Sequence, residues 1–238
     1  MCKVTIIIPT FNSEDTIIEC IESIIEVSGD LLGSVIQVII CDGASTDNTL
    51  DFIQAIDVNG LNVFSYPDNG IYDAMNNGVS RCVSDWVYFL GSDDILMPEF
   101  INLLDRIDCN KFIYYGNVVL KSTGFVYDGQ FSKYKLIRKN INHQSIIYPR
   151  HLLVKYPFST KYKILSDWNT NIILFDNFKY LPFITAAYND VSGVSSTKID
   201  DDFMRDKIIV IKKHMSYLCY LYAILIKMLG KLKNEFKM

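Results

Sequence analysis

The chain has no CxxC pair among its six cysteines, which stand at positions 2, 20, 41, 82, 109 and 219. Cysteines scattered in this way support neither a zinc site nor a dense disulfide framework, and a reduced compartment is the simplest reading. Cys20 and Cys41 sit among apolar neighbours, where a free thiol acts as a small buried hydrophobe. An excess of positive charge is also missing. The formal net charge is -4, which excludes a general nucleic-acid binder, because a polyanion demands a broad basic surface. The apolar stretch at residues 4–8 is too short for the hydrophobic core of an export signal and no small-residue cleavage site follows it, so a cytoplasmic catalytic part is expected. Internal repeats and low-complexity segments are absent.

What the chain does have is an alternation of patterns. Of its 238 residues 50% are apolar and 21% charged, the balance of a soluble globular protein, and the length suits one large domain with an appendage. Residues 4–8 and 35–40 read as buried strands, and Ile17, Ile18, Ile21, Ile24 and Ile25 recur between them at helical spacing. Helices are expected over 47–56 and 71–83, with strands over 62–66 and 86–90. Ser13 and the cluster Ser45, Thr46 and Asp47 supply side chains able to cap helix starts. The result is an α/β expectation: a Rossmann-like, mostly parallel sheet with helices on both faces and a ligand crevice at the C-terminal strand ends. Further strands are expected at 111–120, 146–148 and 179–188, with a short helix at 168–175.

From about Asp206 the composition shifts to lysines around an apolar, tyrosine-rich run. About twelve apolar residues cannot cross a hydrocarbon core that needs about 20. The tail therefore reads as an amphipathic helix at a membrane interface, with Tyr217, Tyr220 and Tyr222 at headgroup level. Docking on the domain or a homodimer contact is the alternative.

Two acidic clusters fall at expected strand ends. Asp42 follows the second buried strand and could accept hydrogen bonds from a base or ribose, although Asp, Gly, Ser and Thr are equally the residues of a turn and helix cap. Asp93 and Asp94 follow an apolar strand as adjacent, mutually repelling carboxylates, comfortable when solvated or when a cation lies against them. Hard oxygen ligands without nearby cysteine favour Mn²⁺ or Mg²⁺.

Four motifs occur in order: VTIIIPTFN at 4–12, DGASTDNT at 42–49, DNGIYDAMNNG at 68–78 and GSDD at 91–94. Together they resemble the family 2 inverting glycosyltransferases, of the bacterial kind that build O-antigen, capsule and exopolysaccharide, over residues 3–197. The resemblance implies a GT-A fold with a catalytic domain at 1–205 and the tail at 206–238. Within the domain it implies a nucleotide-sugar half at 1–95 and an acceptor half at 96–205. It implies Pro9, Thr10 and Phe11 around the base, Asp42 on the nucleotide, and Asp68 with the segment containing Asn76 along the sugar-diphosphate crevice. Many relatives carry a second acid after the first, and here Gly43 takes that place. Asp93 is implied near the donor ribose or sugar and the metal, with Asp94 as the more direct metal ligand.

In the second half, LSDW at 165–168 resembles the site of the general base, which makes Asp167 the expected proton acceptor with Trp168 beside it. His143 and Gln144 match a pair found near the diphosphate or acceptor. A lone histidine and an acid opening a helix also have plain structural readings. The loop 189–195, with Gly193, resembles a segment that closes over the site. The implied partners are a nucleotide-sugar donor, a UDP-sugar above all, and a polyprenyl-diphosphate-linked saccharide acceptor at the inner membrane face. A sugar-nucleotidyltransferase would need a glycine-rich, basic phosphate loop after the first strand, unlike Pro9-Thr10-Phe11-Asn12. A silent assembly scaffold would have no need of Asp93, Asp94 and Asp167 together.

Overall fold

A computed structural model describes residues 3–127, 129–191 and 200–235, the last five by their backbone alone. Strand β1 (Val4–Thr10) is buried along its whole length, as a near-continuous apolar run must be when both faces are covered. It lies between β2 (Ile36–Asp42) and β4 (Trp86–Phe89), parallel to both, with Ile7 level with Ile39 and Phe89. β3 (Leu61–Ser65) extends this parallel half beyond β2. The other half is mixed. β5 (Ile95–Leu96), β6 (Ile113–Leu120), β7 (Val126–Tyr127), β8 (Ile146–Pro149) and β9 (Phe178–Tyr188) complete the order β3-β2-β1-β4-β8-β6-β9-β5, with β7 on β6. Strands β5, β7 and β8 run antiparallel to their neighbours.

Strand alternation sorts the apolar side chains into two cores. Ile7, Ile39, Cys41 and Phe89 pack on one face with Met75 and Val79 of α3 (Ile71–Arg81). Ile6, Ile8, Val38 and Tyr88 pack on the other with Ile17, Cys20, Ile21 and Ile24 of α1 (Ile17–Ser28), whose spacing is that of a single helix face. The second face also carries Ile53 of α2 (Thr49–Gln54) and Phe100 and Leu103 of α4 (Glu99–Arg106). α3 lies close on the sheet because Gly78 lets it: a Cβ there would come within 2.6 Å of the Ile7 side chain.

The first face is closed by α5 (Lys133–Arg138), α6 (Arg150–Lys155), α7 (Ser166–Leu174) and α8 (Asp201–His214). α9 (Tyr217–Glu235) follows after a break at Met215 and Ser216. The expected domain boundary at 205 and 206 falls inside α8. Asp200 caps this helix by accepting from the Phe203 N–H at 3.1 Å, and Phe203 and Ile211 are fully buried. The short pieces β5, β7, α5 and α6 leave no periodic trace in the sequence, since two to six residues span no more than a turn or a pleat. Cys20, Cys41, Cys82, Cys109 and Cys219 are free, and all but Cys109 are buried.

Candidate functional site

The C-terminal ends of β1, β2, β3 and β4 meet at one edge, and the loops that leave them are tied together. Asn12, in the left-handed region at φ 47°, accepts from the Thr46 N–H at 2.9 Å, and Ser45 Oγ accepts from the Asn12 N–H at 2.8 Å. Glu14 Oε2 accepts from both nitrogens of Asn48, at 3.0 and 2.7 Å. The clusters at 9–14 and 42–49, far apart in sequence, thus form one rigid ledge.

Asp42 is fully buried within that ledge, accepting from Ser45 Oγ at 2.5 Å and Ser65 Oγ at 2.6 Å. Thr10 is buried beside it, and Gly43 donates its N–H to the Thr10 carbonyl at 2.8 Å. The Asp68 carboxylate stands over Gly43: a Cβ at 43 would meet Asp68 Oδ2 at 2.8 Å and the Phe11 ring at 3.4 Å. The glycine in the place of a second acid therefore makes room for the acid of Asp68. Burial, ahead of the charges of Asp73 and Asp42, raises the Asp68 carboxyl above the ordinary carboxylate range. Phe11 presents 60% of its surface to solvent next to it.

The adjacent acids after β4 have different surroundings. Asp94 is 1% exposed, and its oxygens accept from Gln144 Nε2 at 2.7 Å, the Asn189 N–H at 2.8 Å and the Gly91 N–H at 3.2 Å. Burial first and the charge of Asp93 second raise its carboxyl. A carboxylate so enclosed latches the Gly91, Gln144 and Asn189 segments together. Asp93 is half-buried and accepts from Asn189 Nδ2 at 3.0 Å on one oxygen, while its other oxygen has no donor among the described residues. No group of three or more His, Cys, Asp or Glu able to hold a metal occurs among the described residues. A single open carboxylate fits Mg²⁺ or Mn²⁺ that arrives with a substrate diphosphate, since such ions need only one or two protein carboxylates plus phosphate oxygens.

Asp167, in the first turn of α7, is 5% exposed. Its Oδ1 accepts from the Tyr72 hydroxyl and from the Trp168 N–H, both at 2.8 Å; its Oδ2 accepts from Asn140 Nδ2 at 2.8 Å. His143 Nδ1 stands 3.7 Å from the same Oδ2. His143 and Gln144 form one turn that reaches both ways, the histidine toward Asp167 and the glutamine to Asp94. The Gln144 carbonyl, accepting from the Tyr88 and Thr185 hydroxyls, fixes that turn to the sheet. His143 Nε2 is buried with no partner among the described residues.

Two expected contacts are differently employed. Asn76 exchanges both amide hydrogen bonds with the Phe158 backbone, at 2.8 and 3.0 Å, and pins that loop to α3. Trp168 is buried, its indole N–H donating to the Leu136 carbonyl at 2.7 Å and its ring lying 5.6 Å from that of Phe203. Residues 192–195 of the expected closing loop, Gly193 included, lie outside the described residues. The parts played by Tyr72 and Asn140 were not legible in advance; Tyr72 lies inside a recognised motif and Asn189 opens the expected closing loop, while Asn140 carries no local signal at all.

The model of Glycosyl transferase family 2 matches residues 5–176. A PGL/p-HBAD biosynthesis glycosyltransferase from Mycobacterium bovis is 34% identical over 219 residues, covering 84% of this chain and 82% of that protein. Among solved structures, S. aureus TarS 1-349 in complex with UDP-GlcNAc superposes with a TM-score of 0.73 at 18% identity, over 88% of this chain and 66% of its own. The mannosyltransferase PcManGT from Pyrobaculum calidifontis, in complex with GDP-Man and Mn²⁺, gives 0.65 at 17%, over 89% and 61%. The chain thus spans just under two thirds of the length of these two structures, and likeness at such identities speaks for the fold alone.

Proposed function

The chain belongs to glycosyl transferase family 2, and from that premise we propose that it transfers a hexose or N-acetylhexosamine from a nucleotide sugar, a UDP-sugar, to a saccharide hydroxyl with inversion. The observation that carries this reading is the His143–Gln144 turn, which bonds Asp94, the neighbour of Asp93, through Gln144 and sets His143 Nδ1 3.7 Å from Asp167.

The exposed Phe11 ring beside the Asp68 carboxylate offers a flat apolar face and a polar edge, the combination a nucleobase takes. Pro9, Thr10 and Asp42 hold that ledge in shape. Asp93 would hold a Mn²⁺ or Mg²⁺ ion, which when bound neutralises charge on the departing diphosphate. Asp167 receives the acceptor proton as the hydroxyl oxygen attacks the anomeric carbon from the face opposite the diphosphate; the bond to the diphosphate breaks, and an α-linked donor gives a β product.

The acceptor in this reading is a saccharide on polyprenyl diphosphate, at the inner face of the cell membrane. The support is α9. Projected at about 100° per residue, Tyr217, Leu218, Leu221, Leu225, Met228 and Leu229 fall in one arc of roughly 120°. All six are exposed, from 43% at Leu221 to 71% at Tyr217, while Cys219 and Ala223 on the other side are buried. No described helix is long and apolar enough to cross a membrane. Exposed Lys212 and Lys213 at the end of α8 and Lys227 on α9 would attract anionic lipid.

The test is UDP release from a panel of UDP-sugars, with Mn²⁺ or EDTA and a lipid-linked saccharide acceptor, comparing wild type with Asp167→Asn. Metal-dependent release that drops at least about 100-fold in the variant is expected. No turnover of any nucleotide sugar would sink the enzyme reading and leave a scaffold.

A further inference from the structure

Asp167 has four lone-pair directions, and three are filled. The Tyr72 hydroxyl and the Trp168 N–H take both directions on Oδ1, and Asn140 Nδ2 takes one on Oδ2, each at 2.8 Å. The fourth, on Oδ2, is bordered by His143 Nδ1 at 3.7 Å, beyond hydrogen-bond reach. A hydroxyl approaching the carboxylate has that one direction available, and which way it points depends on how Asn140 is held.

Asn140 is held from behind. Its Oδ1 accepts from Asn171 Nδ2 at 2.9 Å, and Asn171 Oδ1 accepts from the Tyr148 hydroxyl at 2.8 Å. Asn171 and Tyr148 are fully buried, at 0% exposure. An amide has one donor end and one acceptor end, so a chain that begins at the Tyr148 O–H and ends at a carboxylate has a single sense: every nitrogen points toward Asp167. The relay also crosses the fold, from β8 through α7 to the loop after α5.

We infer that Asn140, oriented by Asn171 and Tyr148, is the positioning residue that fixes the Asp167 carboxylate with its remaining Oδ2 lone pair open to the acceptor hydroxyl. The inference rests on the reading of Asp167 as the base. Asn140 touches neither substrate in this arrangement; it acts through Asp167. Its effect belongs in kcat, since the alignment matters when the proton moves, and not in donor binding, which happens on the Phe11 and Asp68 side.

Asn140→Asp keeps the volume and the acceptor for Asn171 while replacing the donor that faces Asp167 by an oxygen. Asn140→Ala removes the side chain, and Asn171→Ala removes the support. Expected is a fall in kcat of at least about 30-fold for both Asn140 variants, with KM for donor and acceptor within about twofold and an unchanged rise in melting temperature on adding UDP. A double-variant cycle should show Asn171→Ala adding little once Asn140 is Ala. Asn140 variants with kcat within about threefold of wild type, while Asp167→Asn is inactive, would overturn the inference and leave the base reading intact. An active Asp167→Asn enzyme would overturn both. A KM rise with kcat unchanged would also overturn it, by assigning Asn140 to substrate binding.

Discussion

At the scale of single residues, two neighbours of identical chemistry have opposite employment. Asp94 holds Gln144 and the Asn189 N–H, whereas Asp93 keeps one oxygen open. Removing the Asp94 side chain takes the acceptor from the buried Gln144 amide, at about 1–3 kcal/mol, and from two part-buried backbone N–H groups. Asp94→Ala should therefore lower the melting temperature by several degrees along with activity. Asp93→Ala should melt within about 0.5 kcal/mol of wild type while transfer is lost. Differential scanning fluorimetry beside a UDP-release assay separates the two, and equal melting losses would refute the division. Adjacent letters in a sequence carry no record of which way each carboxylate turns. The alternation of a strand that has just ended no longer applies in the turn, and distant Gln144 and Asn189 decide the matter.

At the scale of elements, α8 buttresses the helix that carries Asp167. Asp200 caps α8 and its Oδ2 also accepts from the N–H groups of Ile164 and Leu165, at 2.8 and 3.1 Å, the two residues that lead into α7. Lys207 Nζ lies 3.3 Å from the centre of the Trp168 ring, and burial pushes its ammonium down to about 7. The face of the ring favours the cation and works against that shift. Below about pH 7 both folded and unfolded chains carry the charge, so the burial cost is fully present. As pH rises from about 7 toward the unfolded value of 10.5, the folded chain alone gives up the proton and stability rises. Relative to Lys207→Met, wild type should gain on the order of 2 kcal/mol between pH 6.5 and 10, less than the full shift implies because of the ring. Urea midpoints across that range measure it, and parallel curves for the two chains would mean that the ring cancels the burial cost. The sequence signals a change near Asp206 because lysines begin there, yet α8 starts earlier and docks by Phe203. Composition registers charge, whereas docking depends on what one buried aromatic meets.

At the scale of the molecule, the crevice stands at one edge of the sheet and α9 carries an unpaired apolar stripe. Replacing Leu218, Leu221 and Leu225 by Asn should abolish co-sedimentation with phosphatidylglycerol vesicles by at least about tenfold while leaving transfer to a soluble acceptor within about twofold. Binding by wild type should weaken as salt rises, since surface charge is screened over about 10 Å at 0.1 M. Unchanged sedimentation of the variant, or a wild-type dimer with no affinity for vesicles, would refute the membrane assignment.

The sequence by itself determined the parallel half of the sheet and its ligand edge. Apolar runs such as 35–40 and 86–90, alternating with helical patterns, read as strands covered on both sides, and the acids that follow them then share an edge. It also singled out Asp167 and the His143–Gln144 pair, which the fold brings to within 3.7 Å of each other at His143 Nδ1 and Asp167 Oδ2. Only the tertiary structure decided that Asp68 fills the space over Gly43, that Asn76 pins a loop, and that Asn140, Asn171 and Tyr148 align behind Asp167. Those contacts join residues 23 to 82 positions apart through side-chain hydrogen bonds and, over Gly43, through steric fit, whose partners are chosen by packing in three dimensions and leave no period in one.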